Sequence, residues 1–163
     1  MEKENERTSY HVVVDKSLGV EGLLKAVEAD GYVNPDITNP EFRPPIKGTE
    51  RYETDIELIG IPRAMPEESV VVYLEGLGYD PALPEDTLAL GAQHKYIKRE
   101  PIIICVGGFW YHPAANRLAL VLGGSSHDRC VNLYWRGYLE PWDRGTRVAA
   151  VLKRNATLSH SRP

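Results

Sequence analysis

The sequence predicts an α+β fold in which two or three helices pack on short, mostly antiparallel strands. Two observations predict it. Through residue 100, strand-like and helix-like segments are mixed, whereas after Pro101 short apolar runs alternate with glycine-rich or polar turns. Elements segregated in this way build an α+β domain, without the strict alternation of a parallel βαβ fold. A length of 163 residues suits one domain. A chain of this size buries roughly 68–70% of its unfolded surface and needs no disulfide or metal staple.

Each element follows from local pattern. "YHVVVD" (10–15) is short, β-branched and bounded by polar residues, as a strand should be. Ser17 is placed to cap a helix in which Val20, Leu23, Leu24 and Val27 recur at i, i+3, i+4 and i+7, ending near Gly31. "YVNPDITNPEFRPPIKG" (32–48) carries four prolines and two Asn-Pro pairs, which marks an ordered irregular loop or a flexible linker. "YETDIELI" (52–59) alternates Tyr52, Thr54, Ile56 and Leu58 with charged residues, the pattern of a half-buried strand. Pro66 opens a helix with Val70, Tyr73, Leu74 and Leu77 on one face, stopped by Gly78. "PEDTLALGAQHKYI" (84–97) reads as another short helix with a proline start and an internal Gly91. "IIICV" (102–106), "LALVL" (118–122), "VNLYW" (131–135) and "RVAAVLK" (147–153) are strand-like. Residues 8–154 form a single domain on this reading, with 1–7 disordered and 155–163 a flexible tail.

Composition excludes several classes. Hydrophobic and charged contents of 42% and 26% are those of a globular domain. No run approaches the ~18–20 apolar residues of a membrane span, so no membrane role is expected. The opening "MEKENERTSY" is charged where a secretory leader is apolar, which makes a cytoplasmic location the default. Residues 1–100 hold 11 Lys+Arg against 20 Asp+Glu, and residues 101–163 hold 8 against 3. Lys153 is the sole lysine of that basic half, whereas nucleic-acid surfaces cluster Lys with Arg. No nucleic-acid partner is expected.

The candidate chemistry is sparse. Ser125, Ser126, His127 and Asp128 hold the letters of a hydrolase triad, but adjacent residues in a turn rarely converge on one reacting atom. They read as a polar turn. His127, Asp128 and Cys130, with His112 nearby, lack the paired spacing of a zinc motif, so neither metal nor cofactor is expected. Gly107-Gly108 and Gly123-Gly124 have no following Lys-Ser/Thr, so tight turns or close backbone packing account for them. Cys105 reads as a buried thiol. Asp55 and Glu57 read as solvated, and His11 and His94 show no partner in sequence. No residue is assigned a catalytic role. Trp110, Trp135 and Trp142 lie at or next to strand ends, with core packing expected for the first two. Around them, on turns, stand Tyr111, His112, Asn116, Arg117, Tyr134, Arg136, Tyr138, Asp143 and Arg144. Loop-borne Tyr, Arg, Ser and Asn on a rigid sheet are the composition of a paratope. The residues therefore point to a binding surface.

The series "REPIIICVGGFW…RLALVLGG…RCVNLYW…PWDRGTRVAAVLKR" resembles the variable proteins of diversity-generating retroelements, which have a C-type lectin-like fold. "YVNPDITNPEF", "ELIGIP" and the proline-led "GYDPALPEDTLALGAQHKYIKREPIIICVGG" resemble one bacterial group of them, so the resemblance spans most of residues 8–153. It implies that a reverse transcriptase copies a template with errors at adenines, and that the product replaces a C-terminal coding segment. The usual targets are AAC asparagine codons, which cannot become Lys, Gln, Glu, Met or Trp. From Arg99 to Leu152 there is no Lys, Gln or Met, while Arg occurs six times.

On this resemblance the variable surface falls within residues 110–147, in "YHPAANR" (111–117), "SSHDR" (125–129) and "YWRGYLEPWDRGT" (134–146). The implied contacts are Tyr111, His112, Asn116 and Arg117, then Ser126, His127 and Asp128, then Tyr134, Arg136, Tyr138, Asp143 and Arg144. Trp110, Trp135, Trp142 and Arg147 are implied scaffold. The ligand is expected to be another protein. Two departures stand out: Val148 replaces a Phe, and the turn from Trp135 to Trp142 is longer than usual. Glu140-Pro141 is followed by Trp142, so the sugar-recognising Glu-Pro-Asn is missing. The competing expectations are an enzyme resembling formylglycine-generating oxidases, which needs two accessible cysteines, and a fixed-specificity oligomerisation module.

Overall fold

A computed structural model describes residues 8–99, 101–111, 117–123, 128–136 and 140–153, without the side chains of residues 108–111, 117 and 135–136. The first apolar alternation forms β1 (Ser9–Asp15), which pairs antiparallel with β2 (Arg51–Gly60), Tyr10 opposite Ile56 and Val14 opposite Tyr52. Between them α1 (Gly19–Val27) buries Val20, Leu23 and Val27. Ser17 does not cap it. It sits in a 3-10 turn, where its N–H and hydroxyl donate to the Asp15 carboxylate at 3.0 and 2.5 Å. The helix also stops before Gly31, because Glu28 takes the left-handed capping conformation at φ 49°.

Residues 32–48 are an ordered loop rather than a linker. Ile37 in a 3-10 turn (Pro35–Thr38) is fully buried, and the strand around Val131 is bridged in parallel by Val33. Helix α2 (Glu67–Gly76) follows Pro66 and buries Val70 and Leu74, and Gly78 beyond it has φ 87°. A short strand not expected from the sequence pattern, β3 (Tyr79–Pro81), comes next. Helix α3 (Pro84–Gln93) is buried from Pro84 through Gly91, and a Cβ on Gly91 would sit 3.4 Å from the Leu122 side chain.

The four C-terminal runs are β4 (Ile103–Tyr111), β5 (Arg117–Leu122), β6 (Val131–Arg136) and β7 (Arg147–Leu152). The fold is α+β, with a seven-stranded sheet in the order β1-β2-β7-β4-β5-β6 and β3 also paired to β7. All pairings are antiparallel except β4 with β7. Successive strand residues face opposite sides. Ile103, Cys105, Leu120, Leu122 and Ala149 therefore join α1 and α3 in one core, while Ile104, Val106, Ala119, Val121, Val148 and Ala150 join α2 in a second. Burial on both faces is why these strands read as unbroken apolar runs. Val148 is among the fully buried residues, inside the α2-side core rather than on a surface.

Strand β7 changes partner along one edge. Arg147 and Val148 pair with Ile103 and Ile104 of β4, then Ala150 to Leu152 pair with β3, and Ala82 N–H donates to Ala149 O at 3.0 Å. Strand β3 thus wedges beside β7 where β4 leaves it. The crossing is tight: a Cβ on Gly107 would lie 2.3 Å from Ala82 O. Gly123 (φ 111°) is equally tight, its Cβ position 2.3 Å from Arg99 O. Both glycines serve close backbone packing.

Candidate functional site

Where β4 peels away, its register against β5 shifts. Cys105 pairs with Leu120 but Trp110 pairs with Leu118, so extra residues bulge from β4. Such bulges re-aim the strand beyond them. Beyond this one, Tyr111 pairs with Arg117, and Arg117 pairs with Arg136. Three residues from separate sequence segments thus form one row across β4, β5 and β6. The row behind it holds Trp110, Leu118 and Trp135. Only the backbone positions of Trp110, Tyr111, Arg117, Trp135 and Arg136 are described; their side chains lie outside the described residues.

Tyr134, opposite Ala119, stacks on Trp142 with ring centroids 6.0 Å apart and planes at 17°. Trp142 is 2% exposed and belongs to the α2-side core. Its backbone is clamped to Met65 by two hydrogen bonds of 2.8 and 3.1 Å. The following turn is held by Gly145 N–H to Ile61 O and Thr146 N–H to Asp143 O, both 3.1 Å. Asp143 and Arg144 are therefore exposed side chains on a fixed turn. Trp142, expected as scaffold, is thus a buried ring immediately before the turn that carries them. Arg147 donates through Nη2 to Lys98 O and to Pro101 O, the latter at 3.1 Å, and is half-buried. Burial lowers its pKa from the usual arginine value.

The expected contacts do not all gather here. Asp128 is exposed on the connection from β5 to β6, beside the Leu122–Val131 pair, whereas Arg117–Arg136 closes the opposite end. Five ladder steps separate the two ends, about 17 Å at strand rise. Next to Asp128 the chain is tied to the segment after α1: Arg129 N–H donates to Asp30 at 2.6 Å, and Arg129 Nη2 to Glu28 O at 2.8 Å. His112, Asn116, Ser126, His127 and Tyr138 lie outside the described residues.

The thiols of Cys105 and Cys130 are free and 2% and 7% exposed. Cys105 Sγ donates to Ala82 O at 3.3 Å, and burial pushes its pKa up to about 12. His11 has partners after all. The β1–β2 register sets it opposite Asp55 at 2.8 Å, with Glu53 at 3.3 Å, and both bonds raise its pKa. His94 Nε2 bonds His11 O at 2.8 Å. Asp55 is solvated as expected, but Glu57 accepts from the Tyr79 hydroxyl.

Two buried carboxylates, Glu85 and Asp86, are not among the residues singled out by the sequence pattern. Asp86 accepts from Tyr52 OH and from Leu83 N–H at 2.9 Å, and Glu85 lies 3.6 Å from Lys16 Nζ. Desolvation raises both pKa values. Their position in the first turn of a proline-led helix was the available signal. No group of three His, Cys, Asp or Glu among the described residues is arranged to hold a metal ion. No helix among them is long and apolar enough to cross a membrane. No family model, curated protein or solved structure matches the chain.

Proposed function

We propose that this chain is a non-catalytic recognition protein of the C-type lectin-like fold, whose C-terminal surface is diversified through a retroelement and binds protein ligands. The observation that carries the reading is the row of Tyr111, Arg117 and Arg136 across three strands, with Asp143 and Arg144 exposed on a turn that follows the buried Trp142. Tyr and Arg are the residues that dominate interface energetics. A sheet with a core on each face is a platform whose end can change side chains without loss of packing. The absence of Lys, Gln and Met between Arg99 and Leu152 supports the adenine-directed bias. Burial of both thiols favours recognition over a thiol-based copper oxidase, which needs accessible cysteines.

Sequencing the DNA around the gene tests this. The expected result is an imperfect repeat of the codons for residues 110–147, differing at adenines, beside a reverse transcriptase gene. A locus with neither overturns the variable-surface reading and leaves a domain of fixed specificity.

A further inference from the structure

We propose that a second site, a cleft between the C-terminal end of α3 and the start of β7, binds a small organic anion: an acidic headgroup on a compact aromatic or apolar body. The cleft measures about 670 Å³ and is lined by Tyr10, the segment 92–98 and Arg147. That volume lies within the roughly 300–1,000 Å³ typical of small-molecule sites.

Its lining has one sign of charge. Lys95, Lys98 and Arg147 contribute cations, and no lining residue is a carboxylate. Lys95 and Lys98 lie in the acidic part of the chain, where residues 1–100 hold 20 Asp+Glu against 11 Lys+Arg. Lys95 is engaged by Glu28. Lys98 is exposed and has no carboxylate partner among the described residues. Arg147 spends Nη2 on the Lys98 and Pro101 carbonyls, which fixes the guanidinium; Nη1 makes no bond among the described residues. A half-buried, fixed guanidinium attracts an anion more strongly than one in bulk water.

The walls supply the rest. Tyr10 and His94 pack edge to face, centroids 5.1 Å apart at 72°, and His94 is held by its bond to His11 O. At the rim Tyr96 is 98% exposed, an aromatic ring with nothing covering it, on the same segment as Ile97 and Lys98. An anion alone would leave these surfaces wet; an anion with an apolar body covers them. The cleft is set apart from the Tyr111–Arg117–Arg136 row of the proposed recognition surface, because Arg147 pairs with Ile103 at the start of β4 and Tyr111 ends that strand.

The test is amide NMR of the full chain titrated separately with phenyl phosphate, inorganic phosphate and benzylammonium. Phenyl phosphate should give saturable shifts at Tyr10, His94 and Lys98, with inorganic phosphate about tenfold weaker for want of an apolar body, and benzylammonium inert. Lys98→Glu, at an exposed position, should keep the native spectrum and weaken phenyl phosphate by about tenfold or more. Tyr96→Ala should weaken it severalfold while leaving inorganic phosphate unchanged. Absence of saturable shifts at these amides, comparable binding of benzylammonium, or undiminished binding to Lys98→Glu each overturns the proposal.

Discussion

His11 shows how much of a residue's chemistry comes from register. Within four residues of it in sequence only Asp15 is acidic, yet the β1–β2 ladder sets it between Asp55 and Glu53, and both raise its pKa above 6.5. A raised histidine pKa means that the two ion pairs stabilise the fold fully below pH ~6.5 and fade as pH rises through the folded-state value. The expected outcome is an NMR titration midpoint for His11 above 6.5 in the native protein, falling toward 6.5 in Asp55→Asn. A midpoint that ignores this substitution would refute the assignment. Glu85 and Asp86 are legible only as helix-start residues in sequence, because what buries them comes from β1, β2 and the turn at Lys16. Cys105 was legible because its flanks are apolar on both sides. Residue chemistry set by neighbours in sequence can be read; residue chemistry set by pairing cannot.

At the scale of elements, each of the two outer strands of the sheet is hydrogen-bonded in part by a segment outside the sheet. Gln93 at the end of α3 donates to Val13 O at 2.7 Å and accepts from Val13 N–H at 2.8 Å, so its amide mimics a strand residue along β1. Along β6, Val131 N–H donates to Tyr32 O and Asn34 N–H to Val131 O, both at 3.0 Å. Uncovered edges invite pairing with another chain. Gln93→Ala should remove about 1 kcal/mol per hydrogen bond and accelerate hydrogen exchange at Val13 more than at Val14. Equal protection of Val13 in the variant would show that the amide contributes nothing. Periodicity located most of the helices and strands, since amphipathic spacing and doubly buried runs are local properties. It missed β3 because three residues ending in proline carry no periodic signal. It left the 32–48 segment undecided because the order there comes from β6, about a hundred residues away in sequence.

Across the whole molecule, stability and display are separable. Trp142 is interior while its neighbours Asp143 and Arg144 are exposed. Trp142→Ala should lose about 3–5 kcal/mol in chemical denaturation, whereas the Asp143→Ala, Arg144→Ala double variant should stay within about 0.5 kcal/mol of the parent. Comparable losses would mean that the displayed turn is itself part of the core. Of the expected surface, the grouping of Tyr111, Arg117 and Arg136 depends on the β4 bulge, and the distance of Asp128 from them on which end of a hairpin it occupies. Neither was visible in sequence, because chain order does not encode sheet order. The position of β7 has a consequence in time as well as in space. It joins β1–β2 to β4–β5–β6, and it is the last of the seven strands to leave a ribosome. Until residues 147–152 emerge, a nascent chain holds two half-sheets with their inner edges open, and the closing strand must find β2 and β3 across long separations in sequence. Such non-local pairing is slow, so a chaperone has its clearest window on this protein in the interval before β7 is made.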